Sequence, residues 1–152
     1  LEAMTSDEID TLLEHELGEV QVGREFGPVW EQMLAALPRS RAEYQLRAIR
    51  DHLVDCRRTL PWLLGQGRDA ALHFYMANFT TLRKEIFPGL VTAYDEWLQG
   101  DGSKALRETV KRGAEHWQAQ AEKALSIYRE HEGVDSKALM KALTALDEGV
   151  KF

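Results

Sequence analysis

Apolar residues recur along this chain at helical spacing, and no segment alternates with the two-residue period of a half-buried strand. Residues 40–60 carry the clearest pattern. At 100° per residue, Ala42, Leu46, Ile49, Leu53, Cys56 and Leu60 point within ~40° of one direction, the spacing of a helix packed along other helices. Ser40 with Glu43 reads as a capping box at its start. Pro61 falls near its end, with Trp62, Leu63 and Leu64 carrying the apolar pattern into a turn stopped by Gly65 and Gly67.

The rest of the chain reads in the same way. Thr5 or Ser6 caps a first helix with Asp7, Glu8 and Asp10 in its opening turns, where the helix dipole favours acids. Its apolar face is Ile9, Leu12, Leu13, Leu17 and Val20, and Gly27-Pro28 ends or bends it. A short second helix begins at Pro28, carries Trp30, Met33, Leu34 and Leu37, and closes at Pro38. A fourth runs from Asp69 to about Leu98 on Leu72, Met76, Phe79, Leu82, Ile86, Leu90, Tyr94 and Trp97, with Pro88-Gly89 kinking or splitting it. After a turn at Gly100-Asp101-Gly102, a fifth presents Leu106, Val110, Gly113, Trp117, Ala121, Ala124 and Tyr128; its small middle residues allow close approach. Gly133-Val134 ends it, and Asp135 or Ser136 caps a short last helix with Leu139, Leu143 and Leu146. The expected fold is all-α: an antiparallel helical bundle of five to six helices, three of them long, the fourth kinked near Pro88. With no linker, residues 4–152 read as one domain, and residues 1–3 as a cloning remnant ahead of a native Met4.

Charge alters this picture more than composition does. The chain has 152 residues, 44% apolar and 29% charged, which is ordinary for a globular domain. Its net charge is −6, unfavourable for nucleic acid or an anionic membrane. That charge is unevenly spread: residues 1–31 hold nine acids and one arginine, while residues 32–58 hold six arginines and three acids. The two stretches should face each other, within one chain or across a dimer. Single Cys56 cannot form an internal disulfide, and no run approaches ~18 apolar residues, so a cytoplasmic protein with no membrane span is expected.

Reactive chemistry is sparse. The residues three before the five histidines are Leu12, Ile49, Ala70, Gly113 and Tyr128, so the Glu-x-x-His pairs of a di-metal bundle are missing. His15 with Glu19 and His52 with Cys56 are i,i+4 pairs, too common by chance to predict a metal, and no cofactor is implied. Cys56 belongs to the packing stripe, where a thiol is a small hydrophobe. No nucleophile-elbow, phosphate-loop or metalloprotease pattern occurs, so no enzyme is expected. Arg47, Arg50 and Arg57 share one flank of the third helix, but Glu43, Asp51 and Asp55 interleave with them, unlike a phosphate track.

Four residues break the pattern. Arg83 lies within the fourth helix's apolar stripe and Glu16 within that of the first; buried charges need partners, so the two should meet, or Arg83 should meet a ligand or partner carboxylate. Tyr44 and Phe74 lie ~160–200° from their helices' apolar directions and should face outward. The reading that follows is a non-enzymatic protein-interaction or regulatory module, binding another protein or itself through Tyr44, Arg47, Arg50, Arg57 and Phe74. The alternative is a small-molecule-binding bundle in which Tyr94, Trp97, Trp117 and Tyr128 line a pocket, beside Trp62, and Arg83 anchors an anion.

Overall fold

The computed structural model describes residues 2–131, 136–144, 146 and 150–152, with side chains from Ser6. They form an all-α fold: α1 (Glu2–Phe26), α2 (Pro28–Ala35), α3 (Arg41–Val54), α4 (Leu60–Gln66), α5 (Asp69–Ala77), α6 (Thr81–Ile86), α7 (Pro88–Leu98), α8 (Lys104–Glu130) and α9 (Ser136–Thr144). A π-helical turn, Asp55–Thr59, joins α3 to α4. No strand occurs among the described residues. Asp135 as a cap and Gly133-Val134 as a stop lie outside them.

Helix α8 is the hub, in contact with α2, α3, α4, α7, α9 and the π turn. Its small residues serve that role. A methyl carbon on Gly113 would lie 2.8 Å from Phe87 Cζ and 2.9 Å from Cys56 Sγ, so only glycine lets both side chains seat against α8. Gly113→Ala should therefore overpack the core and cost about 1–3 kcal/mol, read as a lower urea midpoint at unchanged slope.

All six stripe residues of the third predicted helix are buried. Its start is capped as expected: Ser40 Oγ accepts the Glu43 N–H at 3.1 Å, and the Glu43 carboxylate accepts the Arg39 N–H at 2.7 Å. The helix does not stop at Pro61. Proline has no N–H to donate back, and the widened π turn just before it, closed by Leu60 N–H on Asp55 O, carries the axis through to Gln66.

The fourth predicted helix is three. It is divided between Ile86 and Pro88, and again at residues 78–80, where Asn78 Nδ2 donates to Phe74 O at 2.8 Å and Thr80 is extended. A side chain that bonds its own preceding turn competes with helix continuation. The second break swings α6 against α3. The chain end docks at the Pro88 break: Phe152 N–H donates to Ile86 O, and Gly89 N–H to Phe152 O, each at 3.0 Å.

The first helix begins at Glu2, so Thr5 and Ser6 lie inside it and are not at its N-cap position. Its orientation corrects the sequence picture. The side facing the π turn, α3 and α5 carries Thr11, His15, Gly18 and Val22, and Gly18 comes so close that a Cβ there would lie 2.6 Å from Val54 Cγ1. The apolar stripe faces away: Ile9 is 60% exposed, Leu12 60%, Leu13 54%, Leu17 43% and Val20 51%.

Candidate functional site

Besides Val22 and Phe26, which enter the core, charge ties α1 to the body. Glu19 pairs with Arg50 at 2.8 Å, Glu25 with Arg57 at 2.7 Å and Glu14 with Arg58 at 2.7 Å, while Asp7 and Asp10 share Arg68. The acidic stretch and the arginine flank do meet, and they meet within one chain. Arg50 and Arg57, expected to bind a partner, are thereby engaged: Arg50 also contacts Asp51, and Arg57 donates to Gln118 Oε1. Arg47 is exposed but tied to Glu43 at 2.8 Å. Tyr44 and Phe74 do face outward, 55% and 45% exposed.

Under α1 lies a buried ionic cluster that the sequence did not reveal. Asp55 opens the π turn and is 1% exposed. Its carboxylate accepts from His15 Nδ1 at 2.8 Å, from Tyr75 Oη at 2.6 Å and from Arg83 Nη2. Arg83 Nη2 also donates to Tyr75 Oη at 3.0 Å, and its guanidinium lies 4.7 Å from the Phe79 ring centroid. Burial alone would raise the Asp55 carboxyl; the His15 hydrogen bond and the Arg83 charge outweigh it and hold the group well below the usual carboxylate range. His15 shifts the other way: its bond to Asp55 raises the imidazole against the effect of burial.

Arg83 thus has the acidic partner its position demanded, but the partner is Asp55. Glu16 stands exposed on the outer side of α1. On an ideal α-helix Asp55 points about 140° from the mean direction of the stripe, where it passes for a surface charge. That side of the helix is covered as well, by His15 of α1 and by Tyr75 and Arg83, and Ala48, about two turns earlier, is buried with it.

A cavity of about 270 Å³ opens beside the cluster, lined by His15, Asp55, Thr59, Tyr75 and Arg83 on one side and by Leu12 and Phe74 on the other. Two polar atoms in these walls, Thr59 Oγ1 and Arg83 Nε, are buried without a hydrogen-bond partner. The His15 ring also brings its Nε2 within 3.6 Å of Glu19. His15, Glu19 and Asp51 offer atoms within 4.8 Å of one another, the spacing a cation needs, but Arg50 contacts both carboxylates and already supplies positive charge there.

The aromatic pocket expected around Arg83 is not assembled. Trp117 is fully buried, its ring stacked on His52 at 4.7 Å between centroids. Tyr94 and Trp97 form a separate half-buried group with His73, whose Nδ1 lies 2.6 Å from Tyr94 Oη. Trp62 packs under Arg68 at 4.6 Å, and Tyr128 is half-buried on α8. The aromatic neighbours of Arg83 are instead Tyr75 and Phe79, because α6 turns away from α7 at Phe87. Cys56 is buried, and burial pushes its thiol up, with the Asp55 charge adding to the effect.

Residues 1–146 match the C-terminal domain of a family of unknown function (DUF6866). The chain belongs to that family. No curated protein and no solved structure matches it. Within this DUF6866 domain, no helix among the described residues is long and apolar enough to cross a membrane.

Proposed function

We propose that this domain is a helical interaction module whose docking face is the outer side of α1. The observation that carries the reading is the exposure of Ile9, Leu12, Leu13, Leu17 and Val20, each 43–60%, along one side of a helix whose inner side is held by ion pairs. An apolar stripe of that length on a lone chain marks a surface that binds. Sequence normally turns such a face inward; here the acids claim the inward side, which leaves the leucines for a partner.

Charge selects the kind of partner. Glu16 is exposed within the stripe, and Asp10 is 41% exposed at its edge. A second acidic α1 laid against this face would set like charges together, whereas an amphipathic helix flanked by lysines or arginines complements it. Phe74, exposed beside the cavity that Leu12 also lines, extends the apolar surface toward α5.

A synthetic amphipathic peptide with leucines at helical spacing and lysine flanks is the probe; the control has the same leucines and glutamate flanks. Calorimetry should show binding of the first and about tenfold or weaker binding of the second. Leu13→Glu combined with Leu17→Glu should abolish binding and leave the melting temperature nearly unchanged, since both side chains are on the surface. Those variants add negative charge, so loss of a basic peptide cannot be electrostatic. Equal binding of the two peptides, or none, overturns the basic partner. A doubled mass in light scattering, removed by the same variants, would give the face to a second copy instead.

A further inference from the structure

We propose that the cavity beside Asp55 binds a small uncharged molecule with an apolar body and a carbonyl head. This site adjoins the outer face of α1 and shares Leu12 and Phe74 with it, but its polar wall is separate from that face. The Asp55 carboxylate has taken three donors, so it has little acceptor capacity left. Two further groups in the cavity wall, the Thr59 hydroxyl and Arg83 Nε, are buried without a partner, and both can donate. A buried donor left unmade costs free energy that a ligand acceptor recovers on binding. The ligand therefore brings an oxygen acceptor.

Its charge follows from the wall. Glu8 and Asp55 line the cavity with Arg83 and His15, two acids against a guanidinium and an imidazole whose bond to Asp55 favours the protonated form. Behind them Glu19 and Asp51 are matched by Arg50. The wall is balanced, so a net charge on the ligand would enter a partly dry site with no counterion. Leu12 and Phe74 supply the apolar side that an aliphatic or aromatic body needs. A volume of about 270 Å³ equals that of roughly nine liquid waters, which sets the ligand at about nine non-hydrogen atoms.

Acetophenone fits that description, and benzoate and benzylamine are its charged counterparts. Titrated into the protein and followed by amide NMR, acetophenone should give saturable shifts centred on Thr59, Tyr75 and Arg83. Both charged analogues should bind about tenfold more weakly or not at all. Thr59→Val keeps the shape, removes the hydroxyl and should weaken acetophenone about tenfold. Leu13→Glu with Leu17→Glu should leave this binding unchanged, which separates it from the docking face. Absence of saturable shifts up to ~10 mM overturns the proposal. So does tighter or equal binding of a charged analogue, or binding by Thr59→Val at wild-type strength.

Discussion

Asp55→Ala should destabilise the fold by about 3–5 kcal/mol, among the largest effects of any single substitution in this chain. The reason is what it leaves behind. Arg83 would lose its carboxylate partner while remaining mostly buried, Tyr75 would lose its acceptor, and His15 its orienting bond. The cost is that of an uncompensated buried charge and is larger than the worth of the ion pair itself. Replacing both ends, Asp55→Leu with Arg83→Leu, removes the charge as well as its partner and should recover much of the loss. Urea unfolding of the two single variants and the double variant measures the coupling directly. A double variant no more stable than Asp55→Ala would mean that the cluster contributes through packing and not through charge.

Acid should weaken the fold well before its carboxylates titrate. His52 is fully buried between Phe79, Phe87 and Trp117, and burial, with the nearby Arg83 charge, lowers its pKa to about 3. The unfolded chain takes that proton near the ordinary value of about 6.5. Between those values the unfolded state binds the extra proton, so stability is complete above pH ~6.5 and falls by up to ~1.4 kcal/mol per unit as pH drops. His15 works in the opposite sense in a different window. Its raised pKa gives stability that is fully present below ~6.5 and lost as pH rises through its folded value. The lowered carboxyls of Asp55 and Glu43 enter only below about pH 4.5. The stability maximum should therefore lie near neutrality, with an acid limb that His52→Phe flattens. Trp117 fluorescence reports the transition, because its indole stacks on the His52 ring. An acid limb that His52→Phe leaves unchanged would assign it to other groups.

Most of the helical framework was legible in the pattern of the chain, and the site was not. The stripe from Ala42 to Leu60 reads correctly because a helix packed on one side buries one direction, and six residues at that spacing leave little ambiguity. Arg83 was recognisable as a charge in the wrong place, and Tyr44 and Phe74 as aromatics that face out. Its partner was hidden because Asp55 lies about 140° from the stripe and is internal only because α1, Tyr75 and Arg83 pack on a second side of that helix, which a one-sided stripe does not announce. Tyr75 was hidden because α5 and α6 divide at Asn78, so residues on one predicted helix approach the π turn from two separate ones. The face of α1 misled for a different reason. Hydrophobic periodicity says that a side is apolar; it does not say that the side is inward when the opposite side carries enough acids to pair with four arginines on α3, the π turn and the Arg68 loop.

That orientation of α1 is what the whole reading rests on, and a pair of cysteine reporters tests it. The native Cys56 is 2% exposed, so it is a quiet background for a thiol reagent. Leu13→Cys places a thiol on the outer side of α1, and Val22→Cys places one against the body. Reaction with an aromatic disulfide under native conditions should be as fast at position 13 as for a free thiol, and slow at position 22. A protected thiol at 13 with a reactive one at 22 would mean that the apolar side of α1 packs inward, and the docking face would not exist.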